Sequence, residues 1–251
     1  MIASESRDGI SIVRFNRPAE RNAMLPALLR SLIEHLHQAA ATHRPVVLTG
    51  TGAYFCAGAD LHWLASFADP APAVAELVAE HHLAITTIVE LPVPVIAAVN
   101  GTTAGGGIGL ALAADLCLAA ESASFTAAYF RLGLTPDGGA SAFLERAIGP
   151  ARTRELLLTN RRLSAREAHT WGMINAVVAD GELLEQAVSF AANLAPVPAE
   201  TLLQTRRLLD ATYLRNQLQL EAMAIRNAAK SEFFQRAIEA FRAAKAPETS
   251  S

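Results

Sequence analysis

The chain has 251 residues, 51% hydrophobic and 18% charged, with a formal net charge of −3. That size and apolar content suit one large domain, or a main domain with a small appendage, and the weak negative charge gives no electrostatic basis for binding nucleic acid or an anionic membrane. Two cysteines, Cys56 and Cys117, cannot make a disulfide framework and read as buried thiols of a reducing compartment. The opening "MIASESRDGISIVRF" has no basic segment followed by an apolar one. No apolar run reaches the ~18 residues of a membrane span, so the expected setting is cytoplasmic.

Residues 2–16 predict a β-hairpin about Asp8-Gly9, with Ile10, Ile12 and Phe15 alternating with polar residues. Residues 25–41 predict a helix, because Leu25, Leu28, Leu29, Leu32, Ile33 and Leu36 recur at three- and four-residue spacing and Pro26 suits a first turn. "PVVLTG" (45–50) is a short buried strand. "ADLHWLASF" (59–67) and residues 73–90 are helical. "PVIAAVNG" (94–101) is a second buried strand, followed by a helix over 106–114 and the strand "DLCLAA" (115–120). Strands alternate with helices through this half, which is the pattern of an α/β fold.

From about residue 140 the pattern is almost wholly helical. "SARE" (164–167) is a capping box, and Asp180 is placed to cap the next helix. Pro196 and Pro198 mark a break, so a boundary is expected between a core of residues 1–195 and a helical region of residues 196–251. Amphipathic helices run to about Lys245, and the tail "APETSS" is expected to fray. Leu202, Leu203, Leu208 and Leu209 are more than a small appendage can bury alone, which argues for self-association. No cysteine–histidine spacing suggests a metal.

The stretch "NGTTAGGGIGLALAAD" (100–115) is a glycine run opening into a helix. It fits neither the dinucleotide fingerprint G-x-G-x-x-G nor a phosphate loop. Gly105, Gly106 and Gly107 either let a ligand touch backbone N–H groups at a helix start or serve close helix–sheet packing. A second glycine loop, "GTGAYFCAGADLHWL" (50–64), repeats the strand–loop–helix logic, and two donors from two such loops could converge on one oxygen.

Four blocks occur in order: "FNRPAERNAM" (15–24), "AYFCAGADL" (53–61), "AAVNGTTAGGGIGLALAAD" (97–115) and "LGLTPDGGA" (132–140). Together they resemble the crotonase superfamily, the enoyl-CoA hydratases and isomerases. The resemblance covers most of the chain. It implies a spiral of ββα units followed by a helical C-terminal region that forms homotrimers or dimers of trimers. It also implies an acyl-CoA substrate, with coenzyme A part of the thioester and no separate cofactor. By the same resemblance the N–H groups of Ala59 and Gly106 form an oxyanion hole, flanked by Gly105 and Gly107. Glu20, Arg21, Ala57, Asp60 and Leu61 cradle the CoA moiety, with His62 facing the CoA or the acyl pocket. Ala19 and His62 stand where the family often carries lysine, which leaves fewer fixed charges for the CoA phosphates.

Hydratases of the family use two glutamates. Their positions correspond here to Gly109 and Tyr129, so two-carboxylate hydration is not expected. One carboxylate remains, Asp137 in "LGLTPDGG", near where the isomerase branch carries an acid. A thioester carbonyl polarised in the hole acidifies the neighbouring C–H, and one carboxylate can move that proton to another carbon. Pro-Asp-Gly-Gly is also a good turn, so Asp137 is a proton carrier or a turn residue. Tyr129 either donates a hydrogen bond or fills the acyl pocket. His81 and His82, in the 73–90 helix, are expected at the surface or an interface. The leading expectation is an enoyl-CoA isomerase. The alternatives are another thioester-enolate reaction (atypical hydration, dehalogenase-like hydrolysis or decarboxylation) and a non-catalytic acyl-CoA-binding subunit.

Overall fold

The computed structural model describes residues 1–209 and 211–244. In chain order its elements are β1 (Ile2–Arg7), β2 (Ile10–Phe15), α1 (Pro26–Ala41), β3 (Val46–Gly50), β4 (Tyr54–Cys56), α2 (Leu61–Ala65), α3 (Ala71–Glu90), β5 (Val95–Val99), β6 (Thr102–Ala104), α4 (Gly106–Leu112), β7 (Leu116–Ala120) and β8 (Ser124–Thr126). They are followed by α5 (Ala140–Thr159), β9 (Arg162–Ser164), α6 (Ala165–Trp171), β10 (Ala176–Val178), α7 (Leu183–Leu194), α8 (Ala199–Leu209), α9 (Ala211–Ala228) and α10 (Glu232–Ala243). The hairpin, the long helices and the buried strands fall where the sequence predicts them. The tail at 246–251 lies outside the described residues.

Two sheets organise the chain. The larger has the order β1-β2-β3-β5-β7-β10 and the smaller β4-β6-β8-β9. The pairs β3/β4, β5/β6 and β7/β8 each send their first strand to the larger sheet and their second to the smaller. This is the spiral of ββα units implied by the resemblance. Central strands β3 and β5 are buried at every position, as expected of parallel strands covered on both faces. Helix α1 packs its Leu28, Leu29, Leu32 and Leu36 stripe inward.

The second half is less purely helical than its periodicity predicts. β9 closes the smaller sheet antiparallel to β8, and β10 closes the larger sheet parallel to β7. Each has three residues, too few to display a period of two. The capping box at Ser164 and Glu167 is formed. Asp180 is a correction: it does not cap α7 but lies in a 3-10 turn and accepts from the Ser122 N–H at 3.0 Å, so it fastens the loop after β7.

The C-terminal helices return to the core. α9 packs on α3 and α5, and α10 packs on α2, with Phe234 and Ile238 fully buried. Leu208 and Leu209 remain exposed, as unsatisfied apolar surface. Among the described residues no helix is long and apolar enough to cross a membrane.

Candidate active site

The smaller sheet sets the geometry. β4 and β6 are parallel neighbours, with Tyr54 paired to Thr102 and Cys56 to Thr103. Their following loops, 57–60 and 105, are therefore side by side. A Cβ on Gly58 would come within 3.0 Å of the Ala104 carbonyl oxygen, and one on Gly105 within 3.8 Å of the Gly58 Cα. Gly105 has φ +52° and ψ −130°, a conformation closed to residues with a Cβ. That torsion sets the direction of the next peptide N–H, which belongs to Gly106. The Met24–Ala59 bridge uses the Gly58 carbonyl and the Asp60 N–H, not the Ala59 N–H. Among the described residues, neither the Ala59 nor the Gly106 N–H donates to a protein acceptor.

Both residues line a cavity of about 260 Å³. Its walls are apolar, from Leu64, Val74, Leu77, Val78, Leu132, Leu134 and Ile225, and its polar exceptions include His81, Tyr129 and Asp137. Ala57 and Leu61 border this cavity and also a second, larger groove of about 920 Å³, where Glu20, Arg21, Asp60, His62, Trp63 and Phe241 lie. The sequence-predicted residues thus divide into two adjoining spaces, joined at 57–61.

The glycine run divides between a cavity wall and close packing. Gly105 and Gly106 border the cavity. Gly107 does not, which corrects its expected place at the substrate: a Cβ there would meet the Cys56 carbonyl oxygen at 2.7 Å, so it is glycine for packing α4 on β4. Gly109 is glycine for packing α4 against the turn before α5, since its Cβ would stand 2.1 Å from the Gly138 carbonyl oxygen. No side chain fits at that position, acidic or otherwise. Both cysteines are buried and unpaired, and burial pushes each thiol up to about 12, so neither is a nucleophile at neutral pH.

Asp137 is 4% exposed and sits in the turn before α5. Gly138 and Gly139 follow at φ +67° and +77°, so the turn needs them. Asp137 is at once a turn residue and the sole acid lining the cavity among the described residues. The Tyr129 hydroxyl donates to its main-chain oxygen at 2.9 Å, so Tyr129 both packs and steadies the turn. Burial drives the Tyr129 hydroxyl well above its usual range, and it is neutral at pH 7.

The histidines are the principal correction. His81 is 2% exposed, and its Nδ1 lies 3.3 Å from Asp137 Oδ2. His82 Nε2 donates to Asp137 Oδ1 at 2.5 Å. His81 is buried, and His82 is mostly covered, its side chain only 15% exposed. His81 falls on the buried stripe of α3 with Val74, Leu77, Val78, Ala84, Ile85 and Ile88, and that period was the available signal. Burial by itself raises the Asp137 carboxyl, but the hydrogen bonds and charge of His81 and His82 outweigh it and hold the group well below the usual carboxylate range.

Glu221 has no counterpart in the motifs. It reaches from α9 to accept the Gly139 N–H at 2.7 Å, the Ser141 N–H at 3.0 Å and the Ser141 hydroxyl at 2.5 Å, capping α5 from another helix. Burial raises its carboxyl above the usual range. His82, Asp137 and Glu221 each bring a ligand-type atom within 4.8 Å of the others, but all three are engaged in these hydrogen bonds. Replacing Glu221 by Ala leaves the buried Gly139 N–H and the half-buried Ser141 N–H without their acceptor. A loss of about 1–3 kcal/mol is expected, read from the urea midpoint, and an unchanged midpoint would show that the cap contributes nothing.

In the groove, Asp60 is committed to structure. It accepts the His62 and Trp63 N–H groups at the start of α2 and pairs with Arg17 at 3.0 Å. Asn22 is fully buried and donates to the Thr51 and Tyr54 carbonyls, which explains its place in "NRPAERN". Glu20 and Arg21 are exposed on the rim. The His62 ring packs on Phe241 of α10, with centroids 4.8 Å apart.

A pair of idle main-chain N–H groups at the ends of neighbouring strands, opening on an apolar cavity beside a long groove, is the geometry of an acyl-CoA enzyme of the crotonase fold. Residues 5–248 match the family model described as enoyl-CoA hydratase/isomerase, and the chain belongs to that family, within the crotonase superfamily. It is 37% identical over 254 residues to the 1,2-epoxyphenylacetyl-CoA isomerase of Escherichia coli K12, covering 98% of this chain and 97% of the relative. It is 34% identical over 206 residues to 4-chlorobenzoyl coenzyme A dehalogenase-2 of an Arthrobacter species, covering 78% and 73%. The crystal structure of an enoyl-CoA hydratase from Mycobacterium avium subsp. paratuberculosis K-10 superimposes with a TM-score of 0.84 at 31% identity, covering 95% of this chain and 97% of that one. These relatives are named for different reactions of CoA thioesters: isomerisation, dehalogenation and hydration.

Proposed function

We propose that this protein is an enoyl-CoA isomerase that shifts a double bond through a thioester enolate. The CoA moiety lies in the groove over 57–61 and the rim of Glu20 and Arg21, and the acyl chain enters the apolar cavity. No cofactor is proposed beyond the CoA of the substrate. The Ala59 and Gly106 N–H groups donate to the thioester oxygen. Asp137 removes a proton from C2 of a 3-enoyl-CoA, and the C–H electron pair moves onto that oxygen as the dienolate. Asp137 then returns a proton at C4, the electrons fall back, and the conjugated 2-enoyl-CoA results with no net gain or loss of atoms. The assembly proposed is a homotrimer or a pair of trimers, which would cover Leu208 and Leu209.

The observation that carries this reading is a single carboxylate in the cavity wall among the described residues, with no room for a second at Gly109. Hydration requires one group to activate water and another to protonate carbon. The E. coli relative, named as an isomerase of a CoA thioester, supports the same reaction class. A panel of CoA thioesters with products read by NMR tests the reading. A 3-enoyl-CoA is expected to give the 2-enoyl product, and crotonyl-CoA is expected to hydrate far more slowly than the ~10 per second of a typical enzyme. Rapid hydration would overturn the assignment. Chloride release from 4-chlorobenzoyl-CoA, included because a relative carries that name, would replace it with hydrolysis.

A further inference from the structure

The His81 ring is held at both nitrogens. Nε2 lies 3.1 Å from the Gly106 carbonyl oxygen and Nδ1 lies 3.3 Å from Asp137 Oδ2. Its slot is made by two glycines: a Cβ on Gly106 would stand 2.5 Å from His81 Cε1, and one on Gly138 would stand 1.9 Å from it. His81 therefore ties the first turn of α4, which carries the Gly106 N–H, to the turn that carries Asp137.

The partners fix the proton count. A carbonyl oxygen only accepts, so Nε2 carries a hydrogen. Nδ1 and Oδ2 then face each other, and without a proton between them two lone pairs would oppose. Either an imidazolium donates to a carboxylate, or a carboxylic acid donates to a neutral imidazole. In both states one proton stays with the pair. His82 donates to the other carboxylate oxygen, and its side chain keeps 15% of its surface open. The other titratable groups at this turn point elsewhere: the Tyr129 hydroxyl to the Asp137 main chain, and Glu221 to Gly139 and Ser141. Arg131 borders the cavity but is exposed.

We propose that the proton carrier is the Asp137–His81 pair rather than an isolated carboxylate, with His81 as the positioning residue that keeps one proton beside Oδ2 and His82 as its link to solvent. This rests on the assignment of Asp137 as the proton carrier. In the double-bond shift, Asp137 takes one proton from C2 and the pair returns one at C4, so its own count is restored. The two protons exchange within the pair, and solvent hydrogen enters the product through His82.

The test is NMR titration of the full chain without substrate, with aspartate 13Cγ and histidine 15N labels. In the wild-type chain the Asp137 signal is expected to respond at both protonation steps of the pair. In His81→Gln, whose amide still donates to Gly106 but offers no titrating group, the Asp137 midpoint is expected to rise by about one unit or more. His81→Asn serves if that variant fails to fold. With a 3-enoyl-CoA, the acid limb of kcat/KM is expected to rise with the midpoint in the His81 variant, with KM little changed. In deuterated water the deuterium content of the product is expected to fall in His82→Gln. An Asp137 signal that ignores His81 in the wild type, or keeps its midpoint in a folded variant, overturns the pair while leaving the isomerase reading intact. A coupled titration in a chain that isomerises no enoyl-CoA overturns the isomerase reading while leaving the pair standing.

Discussion

Asp137→Asn is expected to bind acyl-CoA with nearly unchanged affinity and to lose about 10²–10⁴ in isomerisation rate. The amide preserves size and turn-forming ability, and the main-chain oxygen that receives the Tyr129 hydroxyl is untouched. It cannot take a proton from carbon. The conservative change matters because Asp137 is a buried acid between two histidines. Removing the carboxyl outright leaves the buried histidine nitrogens without their partner, at about 1–3 kcal/mol for each unsatisfied group, so an alanine variant would confuse loss of chemistry with loss of fold. Steady-state kinetics on a 3-enoyl-CoA, beside calorimetric binding of a saturated acyl-CoA, separates the two. Exchange of the substrate α-hydrogen with deuterated water is expected to fall in parallel. A variant that binds, exchanges and isomerises at wild-type rates would leave Asp137 with only its turn.

Ala59→Pro is expected to lower turnover by about 10²–10³ in a chain that still folds, because the proposed oxyanion hole loses one of its two donors. The local structure tolerates the loss of that N–H. The bridge to Met24 runs through the Gly58 carbonyl and the Asp60 N–H, so no main-chain hydrogen bond of the described residues depends on it. The start of α2 is held by the Asp60 side chain instead. Circular dichroism checks the fold and single-turnover kinetics checks the rate. A well-folded variant with near-normal turnover would move the oxyanion site away from this loop.

Much of the architecture is legible in the residue pattern. The leucine stripe of α1, the Asp8-Gly9 turn, the all-apolar β3 and β5 and the Ser164–Glu167 capping box are local signals, and each is fixed by interactions within a few residues. The resemblance carried by the four motif blocks groups Ala59, Gly106 and Asp137 as site residues, and the structure sets all three on one cavity. What local signals could not supply was the partner set. β9 and β10 are three residues long and exist because sheets built elsewhere offer them an edge.

The same division runs through the site. The sequence by itself determined a strand–loop–helix unit repeated with glycine at each loop, an acid in a Pro-Asp-Gly-Gly turn, and the absence of a carboxylate at 109 and 129. Only the tertiary structure decided that Gly107 and Gly109 are glycine for packing, that Asp180 steadies a loop instead of a helix, and that His81, His82 and Glu221 gather about Asp137 from 56, 55 and 84 residues away along the chain, by subtraction of their numbers. The physical reason is the kind of information each feature needs. Turn and helix preferences are set by torsions and near neighbours, which the sequence spells out. The protonation of a buried carboxylate is set by desolvation and by whichever donors the fold brings within hydrogen-bonding distance. For Asp137 those donors come from one helix that meets it only once the chain has closed on itself, His81 from the buried stripe and His82 from beside it.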